Sequence, residues 1–157
     1  MFIWFLVTPP IIVALVFNTH RLDYRLISIA ALVPSLSWII PQLGFLNTLI
    51  FHALVLGIVM GATTNRRLVR RKWIGVPIGG MLRLIVDASW LEIDRLWWPV
   101  SSTSITDLSG STYPIIPLGI FLDLLGLALC ICGLQRFGFA DAKGRQEFAR
   151  TGNLPRV

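Results

Sequence analysis

The chain has 157 residues, of which 55% are hydrophobic and only 14% charged, and its mean hydropathy is +0.73. Because soluble domains carry about a quarter charged residues, this composition excludes an ordinary soluble domain and predicts a single all-α, multi-pass membrane domain. The net charge of +6 lies in short clusters that are not interleaved with exposed aromatic residues, so nucleic acid is not an expected partner.

Five apolar stretches predict about five transmembrane helices, because a bilayer core of about 30 Å takes about 20 helical residues. The predicted spans are residues 2–17, 26–40, 45–63, 73–91 and 114–134. Pro9 and Pro10 are expected to kink the first span, and Pro34 interrupts the second. Residues 1–135 therefore form a transmembrane domain, and residues 136–157 form a polar tail that we expect to be mobile and cytoplasmic.

The basic residues predict the orientation of these spans, because positively charged loops stay in the cytoplasm. They are Arg21, Arg25, Arg66, Arg67, Arg70, Arg71, Lys72, Arg136, Lys143, Arg145, Arg150 and Arg156. The opposite connections carry Arg95 against Glu92, Asp94 and Asp107. We therefore expect an outside N-terminus and a cytoplasmic C-terminus. The excess of Arg over Lys is a slight indication of a bacterial source, which makes a bacterial inner membrane the expected location.

Two pairs of glycines predict close helix packing. Gly57 and Gly61 lie in the third span, and Gly75 and Gly79 lie in the fourth. Small residues four positions apart let two helix backbones approach each other. Because a short loop joins these spans, we expect them to form a tight hairpin within the chain rather than a dimer.

A set of polar residues marks the candidate site. Arg83 and Asp87 lie one helical turn apart within the fourth span, and ionisable groups in spans usually have a function. His52 and Asp123 fall at a similar depth in the outer half of the membrane, as does Ser35. If their helices turn these faces inward, the residues form one pocket that opens outward. The alternative is that Arg83 and Asp87 only neutralise each other as an internal ion pair.

Four segments, taken in order, resemble a known family. They are LDYRLISIAALVPS, NTLIFHALVLGIVM, RRKWIGVPIGGMLRLIVDASW and DRLWWPVSS. Over residues 22–101 the chain resembles the small membrane-bound metal-dependent hydrolases, most closely their actinobacterial branch. The resemblance implies zinc-dependent hydrolysis of a phosphoester or lipid. It also implies that His52 and Asp87 are the catalytic metal ligands, with Asp87 as the Asp of a His-x-x-x-Asp motif.

Two positions depart from the family pattern. Ser35 stands where the family has the Asp of Pro-Asp, and Arg83 stands where it has the His of His-x-x-x-Asp. Arg has no acceptor atom and stays protonated, so it cannot bind a metal. It can instead hold a phosphate in bidentate fashion. We therefore expect impaired hydrolysis and a site at Arg83, Asp123 and Ser35 that binds the phosphate of a membrane lipid.

Three alternatives remain open for the function. The chain is an active zinc-dependent hydrolase with zinc at His52 and Asp87. It is a structural or accessory subunit that binds a membrane-protein partner. It is a transporter or channel, although five short spans without an internal repeat are few for secondary transport.

Overall fold

The computed structural model describes residues 1–17, 22–101, 104, 116–137 and 142–154, and every regular element in these ranges is helical. The predicted all-α class is therefore confirmed for them. The helices are α1 Phe2–Phe17, α2 Tyr24–Leu32, α3 Leu49–Ala62, α4 Arg67–Trp73, α5 Gly75–Val86, α6 Ile93–Leu96, α7 Ile116–Arg136 and α8 Ala142–Thr151. Three 3₁₀ segments lie between them: Val33–Trp38, Pro41–Asn47 and Ser89–Leu91. The predictions that concern Arg21, Asp107, Arg156 and residues 114–115 fall outside the described residues.

The helices are shorter than the predicted spans. Within the described residues, Pro117–Arg136 is the one helix that is long and apolar enough to cross a membrane. The bent pair Pro41–Asn47 and Leu49–Ala62, which turns by 68°, would make a second span if it crosses as one unit. At about 1.5 Å per residue, the 16 residues of α1 extend about 24 Å, less than a bilayer core.

Local chemistry explains where the central helices begin and end. The side chain of Asp23 accepts a hydrogen bond from the amide of Arg25 at the start of α2, a standard N-cap. Pro34 follows the end of α2 and starts a 3₁₀ segment, so the second predicted span is not one continuous helix. The fourth predicted span also breaks early, because Ala88 adopts a left-handed φ of 53° directly after α5.

Helices α2 and α5 form the most extensive contact of the fold, and a glycine makes it possible. A Cβ at Gly79 would lie 2.3 Å from the carbonyl oxygen of Ile27, so no larger residue fits there without a shift of the backbone. Helix α1 packs against both α2 and α5, and α7 packs against α1. At that second contact, a Cβ at Gly126 would lie 2.9 Å from the backbone of Trp4. Helix α3 packs on α5 from the other side.

The third and fourth predicted spans do contact each other, through α3 and α5, but the predicted role of Gly57 and Gly61 in that contact is wrong. A Cβ at Gly57 or Gly61 would meet no atom within 4 Å, so these two glycines of α3 do not lie at a helix contact. Gly75 and Gly79 of α5 pack instead against α2, where Ile27 fills the space. Helix α3 contacts α5 at Gly80 instead, where the ring of His52 lies.

Residues 142–154 of the polar tail are docked on the core, where the expectation from its composition was a mobile segment. The chain directly after α8 contacts the start of α2, where the amide of Tyr24 donates to the carbonyl of Gly152 at 2.9 Å. Leu154 is buried in one apolar cluster with Val13 and Ile27. The tail thus completes the core at the end of the molecule where the basic residues gather.

Candidate functional site

The candidate site centres on an ion pair at the end of α5. Nη1 of Arg83 lies 3.1 Å from Oδ1 of Asp87, and both side chains are almost completely buried, at 1% and 4% exposure. The pair joins positions i and i+4 of one helical turn, with Asp87 capping the end of α5. Each of these buried charges compensates the other, because a single unpaired charge at this depth would strongly destabilise the fold.

An aromatic ring from α1 covers the cation of this pair. The guanidinium carbon of Arg83 lies 3.2 Å from the centroid of the Phe5 ring, which is itself 1% exposed. An arginine cation over a ring face is attracted by the ring quadrupole, and the attraction grows when both groups are desolvated. Phe5 therefore ties α1 to α5 and closes the pair off from solvent.

The ion pair leaves hydrogen-bonding capacity unused. Nε and Nη1 of Arg83 and Oδ1 of Asp87 have no hydrogen-bond partner, although the last two lie within ion-pair distance. Their orientation does not satisfy hydrogen-bond geometry, so we regard the contact as an electrostatic one. Oδ2 of Asp87 accepts from the hydroxyl of Ser89 at 3.3 Å. Buried polar groups are rarely left without a hydrogen bond, so the unused donor and acceptor atoms make this site unusual.

His52 belongs to the contact between α3 and α5. Its Nε2 lies 2.9 Å from the carbonyl oxygen of Leu46, and because a carbonyl only accepts, this nitrogen is the donor. The other ring nitrogen faces Gly80, where a Cβ would lie 2.3 Å from Nδ1. His52 thus lies beside α5 one turn before Arg83, with both nitrogens enclosed by the chain.

The remaining polar residues of this region bind backbone carbonyls of the 3₁₀ segments. The hydroxyl of Ser37 donates to the carbonyl of Pro34 at 2.7 Å, and the amide of Asn47 donates to Ser37 at 2.8 Å. Thr48 donates to the carbonyl of Phe45 at 2.8 Å. Ser35, the predicted ligand at the Pro-Asp position, is buried in the first of these segments. Ser37 and Thr48 thus satisfy carbonyls that the short 3₁₀ turns leave without helical partners, and Asn47 binds the hydroxyl of Ser37.

Asp123 is engaged at a different place from the other predicted site residues. Its carboxylate forms an ion pair with the amino group of Met1, and its Oδ1 accepts from the amide of Trp4 at 3.1 Å. A carboxylate is stabilised at a helix N-terminus, where amide groups are free to donate. The structure therefore places Asp123 as a cap of α1 contributed by α7, and does not show it bound to Arg83, Asp87 or His52.

The residues do not fit the zinc site that the resemblance implies. Within the described residues, no group of three or more His, Cys, Asp or Glu side chains could hold a metal ion. Asp87 faces the cation of Arg83, and His52 gives Nε2 to a carbonyl. A catalytic zinc needs three protein ligands and an open position for water. His52 and Asp87 therefore do not provide the ligand set of a catalytic zinc site.

Sequence reasoning found the ion pair but missed the residues around it. Phe5 and Asn47 are distant in sequence from Arg83 and from Ser37, so no local pattern connects them. The bond of Ser89 to Asp87 could have been predicted from the sequence, because the two residues are two positions apart. Short hydroxyl side chains often bind nearby polar groups at helix ends.

The chain matches no protein-family model, no curated protein and no solved structure.

Proposed function

We propose that this chain is a small multi-pass protein of a bacterial inner membrane that works as a structural or accessory subunit, without metal-dependent hydrolysis. The observation that carries the second part is the buried contact of Arg83 with Asp87 beneath Phe5. At the position where the hydrolases that the chain resembles have a metal-binding His, this chain has Arg83. Its cation pairs with the carboxylate of Asp87. Stacking of the Phe5 ring on the cation of this pair then joins α1 to α5.

The membrane location and the five spans rest on the sequence pattern and on the exposed apolar surface. Large apolar side chains are exposed on α1, α3 and α7, including Leu15, Leu54, Ile58, Ile120 and Leu124. An exposed apolar surface of this extent is typical of a surface covered by lipid. In this proposal the short helices cross the bilayer core together with the 3₁₀ segments. Side chains within the protein satisfy carbonyls of those segments.

Cysteine labelling in intact cells tests the topology. In a chain whose own cysteines are replaced by serine, Asp94→Cys and Arg66→Cys each provide one exposed thiol. We expect a membrane-impermeant maleimide to label the first in spheroplasts and the second only after permeabilisation. Equal labelling of both sites before permeabilisation would contradict the proposed orientation.

Metal analysis of the purified protein separates the accessory role from the active hydrolase. We expect less than stoichiometric zinc in the wild type, and no change in metal content on His52→Ala. Stoichiometric zinc that is lost on His52→Ala would restore the hydrolase as the better assignment.

One observation favours a second candidate, the binding of an outer-leaflet lipid phosphate at Arg83. Nε of Arg83 has no hydrogen-bond partner and Nη1 has only its ion-pair contact with Asp87, so a phosphate oxygen could accept from both. This candidate requires Phe5 to move, because the guanidinium is 1% exposed. Its test is phospholipid that copurifies with the wild type and is absent from Arg83→Ala; an unchanged lipid content would rule it out.

A further inference from the structure

A basic cleft lies where the start of α2, helix α4 and the end of α8 meet. Its volume is about 340 Å³, and it is lined by the cations Arg25, Arg71, Lys72 and Arg150 and by one carboxylate, Asp23. These residues come from three parts of the chain that are far apart in sequence. The cleft is therefore a product of the docking of α8, and it lies away from the Arg83 site.

Three of the four cations in this cleft form no ion pair with a residue that the structure describes. Asp23 pairs with Arg25 at 3.2 Å, and Nη1 of Arg25 also donates to the carbonyl of Ala149. Among the ion pairs found within the described ranges, none involves Arg71, Lys72 or Arg150. Three cations around one cleft repel one another and favour an anion between them.

An apolar groove adjoins the basic cleft. Its volume is about 380 Å³, it runs between α1, α2 and α7, and its walls include Leu6, Ile11, Ile29 and Leu134. Arg25 lines both the groove and the cleft, so the two cavities are neighbours that share this side chain as a border. A ligand that fills both has an anionic end and a long apolar end.

Helix α4 has the character of a segment that lies at a membrane surface. Leu68 is 80% exposed and Trp73 is half exposed, and between them are the basic residues Arg70, Arg71 and Lys72. Basic residues alternating with exposed apolar ones are typical of interfacial helices. The cleft therefore lies at the depth where the headgroups of the cytoplasmic leaflet would be.

We propose that an anionic phospholipid binds here, with its phosphate in the basic cleft and one acyl chain in the apolar groove. Arg71, Lys72 and Arg150 contact the phosphate, and Arg25 lies at the junction of headgroup and chain. Basic pockets on the cytoplasmic side of membrane proteins are suited to such headgroups. The proposal rests on the proposed membrane location, which the labelling experiment tests separately, so the two can fail independently.

The headgroup contact is tested by titrating the purified protein in detergent with dioleoylphosphatidylglycerol and following its melting temperature. Dioleoylphosphatidylcholine has the same chains without net charge and should bind much more weakly. The variant R71Q/K72Q should bind the anionic lipid roughly tenfold or more weakly, since each basic residue near a headgroup contributes appreciably. The control R66Q/R67Q removes the same charge from residues that do not line the cleft, and its affinity should stay within about twofold of the wild type.

The acyl-chain contact is tested with a second matched pair. Cys130 lines the groove, whereas Cys132 is exposed and does not line it. C130W should fill the groove and weaken phosphatidylglycerol binding, and C132W should not. Inorganic phosphate alone should raise the melting temperature little at concentrations where the lipid is effective.

Three results would overturn the proposal. Equal weakening by R71Q/K72Q and R66Q/R67Q would mean diffuse attraction between the basic surface and anionic lipid. A response to inorganic phosphate as strong as that to the lipid, with C130W unchanged, would assign the cleft to a free phosphate. Equal binding of phosphatidylglycerol and phosphatidylcholine by the wild-type protein would mean that the cleft does not recognise an anionic headgroup.

Discussion

The imidazole ring of His52 lies directly against Gly80, so closely that a Cβ at position 80 would be 2.2 Å from Cε1 of the ring. The contact joins α3 to α5 one turn before Arg83. It also explains why a polar ring is tolerated there, because one nitrogen donates to Leu46 and the backbone of α5 covers the other side.

Gly80→Ala should destabilise the protein strongly, because the added methyl group overlaps the ring and His52 cannot move without losing its bond to Leu46. Overpacking of this kind costs about 1–3 kcal/mol. The matched control is Gly57→Ala in α3, where nothing lies within 4 Å of the added carbon. The control should be neutral or stabilising by up to about 1 kcal/mol, since Ala favours helix over Gly.

Thermal unfolding of both variants in the same detergent measures the difference. A Gly80→Ala protein as stable as the control would show that α3 and α5 are farther apart than the structure places them.

Single substitutions at the ion pair should lower the free energy of unfolding much more than the double substitution does. Arg83→Met or Asp87→Leu alone leaves one unpaired buried charge and should cost about 3–5 kcal/mol. The double variant removes both charges and should recover most of that loss, because buried pairs are often replaced by apolar residues at little cost. The free energies of unfolding of the four proteins form a double-mutant cycle.

A specific ligand at Arg83 would change this outcome. If Arg83 holds a lipid phosphate, the double variant should recover its stability but still lack the copurified lipid. If the double variant is as unstable as the single ones, the charges of Arg83 and Asp87 do not compensate each other as the proposed function requires.

Replacement of Phe5 should weaken the contact of α1 with α5. Phe5→Leu removes the ring over the guanidinium and should destabilise the protein by about 1–2 kcal/mol from lost burial and lost cation–π attraction. The control is Phe121→Leu on α7, where the side chain is 60% exposed. The measured quantity is again the melting temperature, with Phe5→Leu lowering it clearly more than Phe121→Leu. Similar small shifts in both variants would argue against a ring stacked on Arg83.

Leu154 provides a test of the docked tail. Leu154→Ala should cost about 2–5 kcal/mol if the side chain is buried in the core as the structure shows. It should also expose α8 to proteolysis, because the helix is held mainly by contacts at its end. Leu124→Ala, at a lipid-exposed position of α7 in the proposed topology, serves as the control and should change neither property much. A tail cleaved at the same rate in the wild type and in Leu154→Ala would mean that it is not docked.

The sequence was sufficient to predict helices, but not where they stop. The apolar runs correctly indicated an all-α chain, since no alternating pattern competed with them. The predicted spans nevertheless ran past Leu32 and Val86, because hydropathy does not register a proline turn or a left-handed residue such as Ala88. The number of spans stays a prediction.

For the candidate site, the sequence identified the ion pair, and the tertiary structure decided which other residues lie beside it. The i, i+4 spacing of Arg83 and Asp87 is a local relationship, so it could be read from the helix period alone. The grouping of His52 and Asp123 with them assumed helix rotations that no local pattern specifies. Asp123 instead caps α1, and His52 bonds to Leu46.

By itself the sequence determined the helical class, the charged pair at the end of α5 and the clustering of basic residues in separate stretches of the chain, most of which the structure shows as helical. Each of these follows from residue order over one or two turns. Only the tertiary structure decided that α2 takes the glycine face of α5, that Phe5 covers Arg83, and that α8 brings Arg150 to Arg71 and Lys72. These contacts join distant parts of the chain, and shape complementarity between whole helices selects among the many pairings that the same local patterns permit.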